Sequence, residues 1–279
     1  MSFSPHSRYR EFRPAAGLDR WVGRFWSQTI LPGADTFFQR VLPDGCVDIV
    51  WIDSGPARVV GPATQPFVER LAPGTSIVGV RFRPGAAAAA LNVDASELRN
   101  LQPELAAVMG DTAARQFDPI GDAPTPAAQL PILERTMRTY LMRRPPPDPG
   151  ATALAAAIEV RIGLPVRDAV GAAGAGGSGI SERQARRRFR QAVGYGPKAF
   201  QRIARLARLR EWAARDGVRS RTLAQLAYDL GYADQAHLTR EVTRLAGMSP
   251  AVLLRVAPTI QAISDHAGRN LQDGKSVAR

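Results

Sequence analysis

The run Pro145-Pro146-Pro147-Asp148-Pro149-Gly150 constrains this chain more than any other feature. Each proline locks its own φ and removes an amide donor, so four of them in six residues stop a helix and leave an extended, fairly stiff spacer. The apolar pattern differs on its two sides. With 279 residues there is room for two domains of ordinary size, and a hydrophobic content of 45 % can give each a core. We therefore expect a first domain at 1–143, a linker at 144–150, a second domain at 151–257 and a loose polar tail at 258–279.

Upstream of the prolines, Phe37 to Val41, Cys46 to Ile52, Arg58 to Val60 and Ile77 to Phe82 are short apolar or alternating runs. Turn chemistry separates them at Pro43-Asp44-Gly45, Asp53-Ser54-Gly55-Pro56 and Pro73-Gly74. Strands at this spacing predict a small β-barrel or sandwich. After Pro84-Gly85 the pattern turns helical: an alanine run ending near Leu91, then Ala95 to Leu101, then Gln129 to Met142. The fold class expected is α+β, with strands first and an all-α second half.

In that second half, helices are expected at Thr152 to Ile162 and at Pro165 to Ala173, followed by a glycine-rich stretch, Gly174 to Gly179. Ser181 would cap a helix to Ala192, and Pro197 would open a longer one to Arg215. Thr222 would cap a helix ending at Leu230-Gly231, and Asp234 another running to Ala246, before Ser249-Pro250 restarts the chain.

Charge is concentrated here. Between Ile180 and Arg255 stand 16 Lys and Arg against 6 Asp and Glu, which accounts for ten of the twelve net positive charges of the chain. Nearly all the base is arginine, whose planar fork of donors grips a phosphate or the edge of a guanine. A polyanion is the partner this predicts.

Two stretches place that charge on helices. In Thr222 to Arg240, Leu223, Leu226, Ala227 and Leu230 share one face, Gly231 supplies a left-handed turn, and Leu238, Val242 and Leu245 face inward from the next helix. That leaves Gln235, Ala236, His237, Thr239 and Arg240 outward, near a helix start, where a major groove would meet them. In Ile180 to Phe189, Ala185 and Phe189 point inward while Arg183, Gln184, Arg186 and Arg187 point outward. Five arginines within eight residues repel one another, and an anion would relieve this more simply than solvent. A helix, a glycine turn and a second helix also occur in proteins that bind no nucleic acid; the second copy is what favours DNA. The intervening helix, at 1.5 Å per residue, spans roughly 27 Å, somewhat less than one duplex turn of about 34 Å.

The region from Ala151 to Arg255 resembles the DNA-binding domain of the AraC/XylS regulators, in which a long helix joins two helix-turn-helix subdomains. Two stretches carry the resemblance: Ser181 to Phe189 with Gly194-Tyr195-Gly196-Pro197, and Leu223 to Arg240 with Gly247-Met248-Ser249-Pro250. It implies base or groove contacts from Arg183, Arg186 and Arg187, and from Gln235, Ala236, His237, Thr239 and Arg240. Two departures stand out. Ala175 to Gly179 look inserted after the first supporting helix, and Leu238 and Val242 occupy positions usually aromatic. Leu42 to Trp51, Val60-Gly61-Pro62 and Gly79 to Gly85 resemble uncharacterised sensor domains found ahead of such DNA-binding domains, which implies an effector or dimer contact. Asp44, Asp48, Trp51, Arg81 and Arg83 are the candidates to line an effector pocket.

The expected partners are double-stranded DNA, a small-molecule effector, RNA polymerase and a second copy of the chain. No metal or cofactor is expected, because His6, His237 and His266 are scattered and Cys46 stands alone. A lone cysteine suits a reducing cytoplasm, and no secretion signal or membrane span is expected. No enzyme activity is expected either. Two other readings remain open: a DNA-alkylation-responsive methyl acceptor using Cys46, and a protein-binding module that ignores DNA.

Overall fold

The computed structural model describes residues 3–4, 7–33, 35–163, 165–175, 181–214 and 221–260. Its strands are β1 (Phe3–Ser4), β2 (Ser7–Phe12), β3 (Val22–Ile30), β4 (Phe37–Val41), β5 (Asp48–Ile52), β6 (Arg58–Val60), β7 (Phe67–Leu71) and β8 (Ser76–Phe82). Six of them form an antiparallel sheet in the order β1-β2-β3-β8-β5-β6, and β4 pairs with β7 in a separate two-stranded ribbon. Of the two forms their spacing suggested, barrel or sandwich, the strands do not take the closed barrel. Among the described residues β4 and β7 pair with each other alone, and Leu71 packs on Trp26, Ile30, Val50 and Ile77, so the ribbon faces the large sheet as a second layer.

Alternation along the strands gives the large sheet two apolar faces. From β3, β5 and β8, Trp26, Ile30, Val50 and Ile77 meet Leu71 of the ribbon. Phe25, Ile49, Trp51, Val78, Val80 and Phe82 point the other way, into a larger core. Gly79 makes room for the first layer, since a Cβ there would lie 2.5 Å from the Trp26 ring. β3 and β8 have apolar residues on both faces, which marks central strands.

Helices cover the second face. They are α1 (Ala87–Leu91), α2 (Leu105–Met109), α3 (Asp111–Ala114), α4 (Asp118–Gly121) and α5 (Pro126–Leu141). Of these α5 lies across β3 and β8, burying Leu133 and Met137. Ala95 to Leu101, expected to be helical, is a series of turns instead. Asp94 Oδ1 accepts from the amide and the hydroxyl of Ser96, which offers the backbone an alternative to the helix.

The remaining helices form the all-α half: α6 (Pro149–Val160), α7 (Val166–Ala175), α8 (Glu182–Val193), α9 (Pro197–Ala213), α10 (Leu223–Asp229), α11 (Gln235–Ala246) and α12 (Pro250–Ile260). They share one apolar core that includes Leu154, Ile158, Phe189, Phe200, Leu206, Leu226, Leu238 and Val242. Leu42 from the sheet half enters the same core. The two halves also meet where the Ala95 amide donates to the Gln191 carbonyl at 2.8 Å, and where the turn at Gly45 lies under the Phe200 ring. Two of the expected bounds are corrected: α7 continues through Gly174 to Ala175, and α12 runs to Ile260, three residues into the expected tail, while 176–179 and 261–279 fall outside the described residues.

Candidate nucleic-acid interface

The second helix pair is held by local chemistry at each joint. Thr222 opens α10 with a reciprocal cap: its hydroxyl accepts from the Gln225 amide, and Gln225 Oε1 accepts from the Thr222 amide at 2.8 Å. Leu226, Ala227 and Leu230 are buried, and Leu223 packs at the edge of the same core. Gly231 then turns the chain at φ +72°, a conformation that costs any residue with a Cβ. Asp234 Oδ1 accepts from the His237 amide at 2.6 Å and starts α11. With Leu238, Val242 and Leu245 buried, Gln235, Ala236 and Arg240 are exposed and His237 and Thr239 are half-buried.

His237 is oriented by its neighbours. Its ring stands edge-on to Tyr232 at 5.2 Å between centroids, and Nε2 lies 3.3 Å from Glu241 Oε2. The other oxygen of Glu241 is 3.4 Å from Arg202 Nε on α9. Glu241 was invisible as a positioning residue in the sequence, because its i,i+4 partner His237 and its α9 partner Arg202 converge only in the folded chain.

The first pair is built on the same plan. Ser181 caps α8 reciprocally with Gln184, whose Oε1 accepts from the Ser181 amide at 2.8 Å. Gln184 is exposed, but its carbonyl oxygen is turned back to the helix start. Arg186 is tied to Glu182 one turn earlier, at 2.5 Å. Arg183, Arg187, Arg188 and Arg190 are exposed, while Ala185 and Phe189 point into the core, with Phe189 edge-on to Phe200 at 5.6 Å.

Sequence reasoning missed one part of this surface. Arg186, Arg187 and Arg190 line a shallow cleft with Lys198 and the Gly196-Pro197 start of α9. Pro197 has no amide hydrogen and the amides of Ala199 and Phe200 donate to the Gly196 carbonyl, so what this end of a 17-residue helix offers an anion is its dipole. Lysine immediately after a helix-opening Gly-Pro was the available signal.

The helix α9 fixes the two pairs relative to each other. Phe200, Ile203, Leu206 and Leu209 are buried, and Ala207 is half-buried. Gln201 Nε2 and Arg205 Nε both donate to the Ile162 carbonyl, at 3.0 and 3.1 Å, and Arg208 donates to that of Glu159 at 3.2 Å. The Arg205 guanidinium also lies over the Tyr232 ring, 4.9 Å from its centroid. Gly163, at the turn before α7, sits directly against Gly231, the turn of the second pair.

The candidates in the sheet half divide. Asp44, Asp48 and Arg81 come together at a cavity between the large sheet and the ribbon. Arg81 bonds Asp48 through Nε and Nη2, at 3.0 and 2.9 Å, and Asp44 at 3.1 Å. Trp51 has the opposite parity on β5 and packs on Phe117 in the other core, 6.4 Å between centroids. Arg83 lies beyond the end of β8 and donates to the Asp19 carbonyl. Near it, burial pushes the Glu159 carboxyl up to about 7; Arg83 and Arg208 oppose that shift, and Asp44 adds to it. Burial, then Asp44, raises the Cys46 thiol well above its ordinary range.

Among the described residues no helix is long and apolar enough to cross a membrane. Residues 175–255 match a helix-turn-helix domain family, and residues 10–104 match a domain of unknown function (DUF6597). No curated protein matches the chain. Among solved structures the chain is similar to ToxT from Vibrio cholerae, with a TM-score of 0.43 and 10 % identity over 90 % of this chain and 98 % of that one. A second ToxT structure, bound to (E)-4-(8-methylnaphthalen-1-yl)but-3-enoic acid, gives 0.42 and 12 % over 90 % and 99 %. A third, of unsaturated fatty acid bound wild-type ToxT, gives 0.40 and 11 % over 90 % and 95 %.

Proposed function

We propose that this chain, whose C-terminal region carries a helix-turn-helix domain of the AraC type, regulates transcription by binding duplex DNA in a sequence-specific way. Its helices α8 and α11 are the reading elements, and residues 151–257 form the DNA-binding domain. Residues 1–143 form a sensor or dimerisation domain, joined through 144–150. One observation carries the reading: two capped helices bury their apolar faces in one core on a shared connector, while their arginines stay in solvent.

In this reading Arg190 and Lys198, with the start of α9, hold phosphates and set the register on the duplex. Arg183, Gln184, Arg186 and Arg187 on α8, and Gln235, Ala236, His237, Thr239 and Arg240 on α11, meet the groove. Sequence is read there by hydrogen bonds and apolar contacts to base edges. Binding should weaken steeply with salt, because each neutralised phosphate releases counterions. The protein would act in the cytoplasm at the nucleoid, under a small effector, with a homodimer and a contact to RNA polymerase as further parts of the proposal.

Arg187→Ala and Arg240→Ala, measured against a footprinted site and against random DNA, test the assignment. Loss of specific binding in either supports it, and retention in both removes the assigned faces. Failure to be retained on DNA or heparin at moderate salt would favour a protein-binding module instead. The raised Cys46 thiol runs against a methyl acceptor, since the thiolate is the nucleophile.

A further inference from the structure

The cavity between the large sheet and the ribbon has a composition that selects its ligand. It encloses about 70 Å³, room for roughly five waters at about 10–15 Å³ each. Trp26, Val50, Ile52, Phe67, Leu71 and Ile77 make its walls apolar. Asp44, Asp48 and Arg81 stand at the lining together with Arg58, Glu69 and Gln102. Three carboxylates face two guanidiniums, so one negative charge is left over. Arg81 is committed to Asp44 and Asp48, and Arg58 to Gln102 at 2.9 Å and Glu69 at 3.7 Å.

A second, independent feature has the same sense. Gln39 on β4 lines the cavity, is only 8 % exposed, and its Oε1 has no hydrogen-bond partner. Buried acceptors without a donor are uncommon in native proteins. Trp26 Nε1 on the same lining is likewise buried without a hydrogen-bond partner, so the cavity has spare capacity for a donor at Gln39, for an acceptor at Trp26 and, by its charge, for a cation.

We infer that this cavity binds a small, largely apolar primary amine, whose ammonium meets Gln39 and the Asp44–Asp48 end while its hydrocarbon lies against Trp26 and the aliphatic walls. A carboxylate ligand would add a fourth acid to a lining whose two guanidiniums are already paired with carboxylates. The inference rests on the proposed effector control, and the walls supply a route for it. Outside the cavity, Arg40 and Pro66, at the ends of the ribbon strands, lie beside Gly247 at the end of α11. The turn between Asp44 and Cys46 lies under Phe200 of α9. A ligand that moves either wall bears on both reading units.

Isopentylamine and benzylamine are the probes, with 3-methylbutanoate as the acid control, titrated into the full chain by calorimetry and by tryptophan fluorescence. The expected result is binding of an amine, no binding of the acid, and at least about tenfold weaker amine binding in Gln39→Leu and in Asp48→Asn. Gln39→Leu removes no ion pair, so it stands as the test if Asp48→Asn does not fold. Equal or tighter binding of the acid, unchanged amine affinity in Gln39→Leu, or no amine binding up to about 10 mM overturns the inference. DNA affinity is measured in parallel with and without amine. Amine binding that leaves DNA affinity unchanged upholds the ligand class and removes effector control.

Discussion

Gly231→Ala should destabilise the helical half, whereas Gly163→Ala, across the same contact, should not. Gly231 has φ +72°, and an alanine held in the left-handed region costs about 1–2 kcal/mol. The new methyl would also lie 2.5 Å from Gly163 Cα and 2.9 Å from its carbonyl oxygen. Those are backbone atoms that cannot rotate aside, so an overpacking cost of about 1–3 kcal/mol is added. Together the loss is roughly 2–5 kcal/mol, which at about 2–4 °C per kcal/mol lowers Tm by roughly 4–20 °C. A methyl on Gly163 meets Gly231 only at 3.8 Å, an ordinary contact, and Gly163 has no positive φ. Thermal and urea unfolding of the two single variants, followed by circular dichroism, make the comparison. Equal losses, or a Gly231→Ala variant within about 0.5 kcal/mol of the parent, would refute both the strain and the contact.

Phe189→Ala removes a fully buried ring packed on Phe200 and should cost about 3–5 kcal/mol by chemical denaturation. Arg187→Ala, on the exposed side of the same helix, should leave stability within about 0.5 kcal/mol and lower DNA affinity in a mobility-shift assay. Thr222→Ala should cost about 1 kcal/mol through loss of the α10 cap, and Thr222→Ser should restore most of it. For Glu159 the folded carboxyl holds its proton up to about pH 7, above the ordinary carboxylate range. The folded state binds more protons between pH 4.5 and 7, so stability is greatest at the low end and falls as pH rises through 7. Glu159→Gln should flatten that part of a stability-against-pH curve.

The helical half was largely legible from the sequence because its signals are local. Ser181, Thr222 and Asp234 cap the helices that follow them, Gly231 and Gly247 turn the chain at positive φ, and Phe189, Leu226, Leu238 and Val242 bury at helical spacing. Each of these acts within four residues of its partner. Four strands of the sheet half were legible for the same reason, within a residue or two at their ends. β1, β2, β3 and β7 were not. β3, Val22–Ile30, places Arg24 and Gln28 inside alongside Phe25 and Trp26, so it shows no alternation to detect. Its identity as a strand comes from pairing with β2 and β8, between partners 13 (Phe12 and Phe25) to 60 (Val22 and Phe82) residues apart.

What the sequence alone determined about this protein is the run of capped helices, the outward arginines and the charge that calls for a polyanion. Tertiary structure decided which of these side chains meet. It set Glu241 behind His237, Lys198 beside the α8 arginines and Gly163 against Gly231. It also separated Trp51 from Asp48 by strand parity and enclosed Asp44, Asp48, Arg81 and Gln39 in one cavity. Caps and helical faces follow from bonds formed within a turn or two, whereas a cavity is made by surfaces that chain order does not bring together.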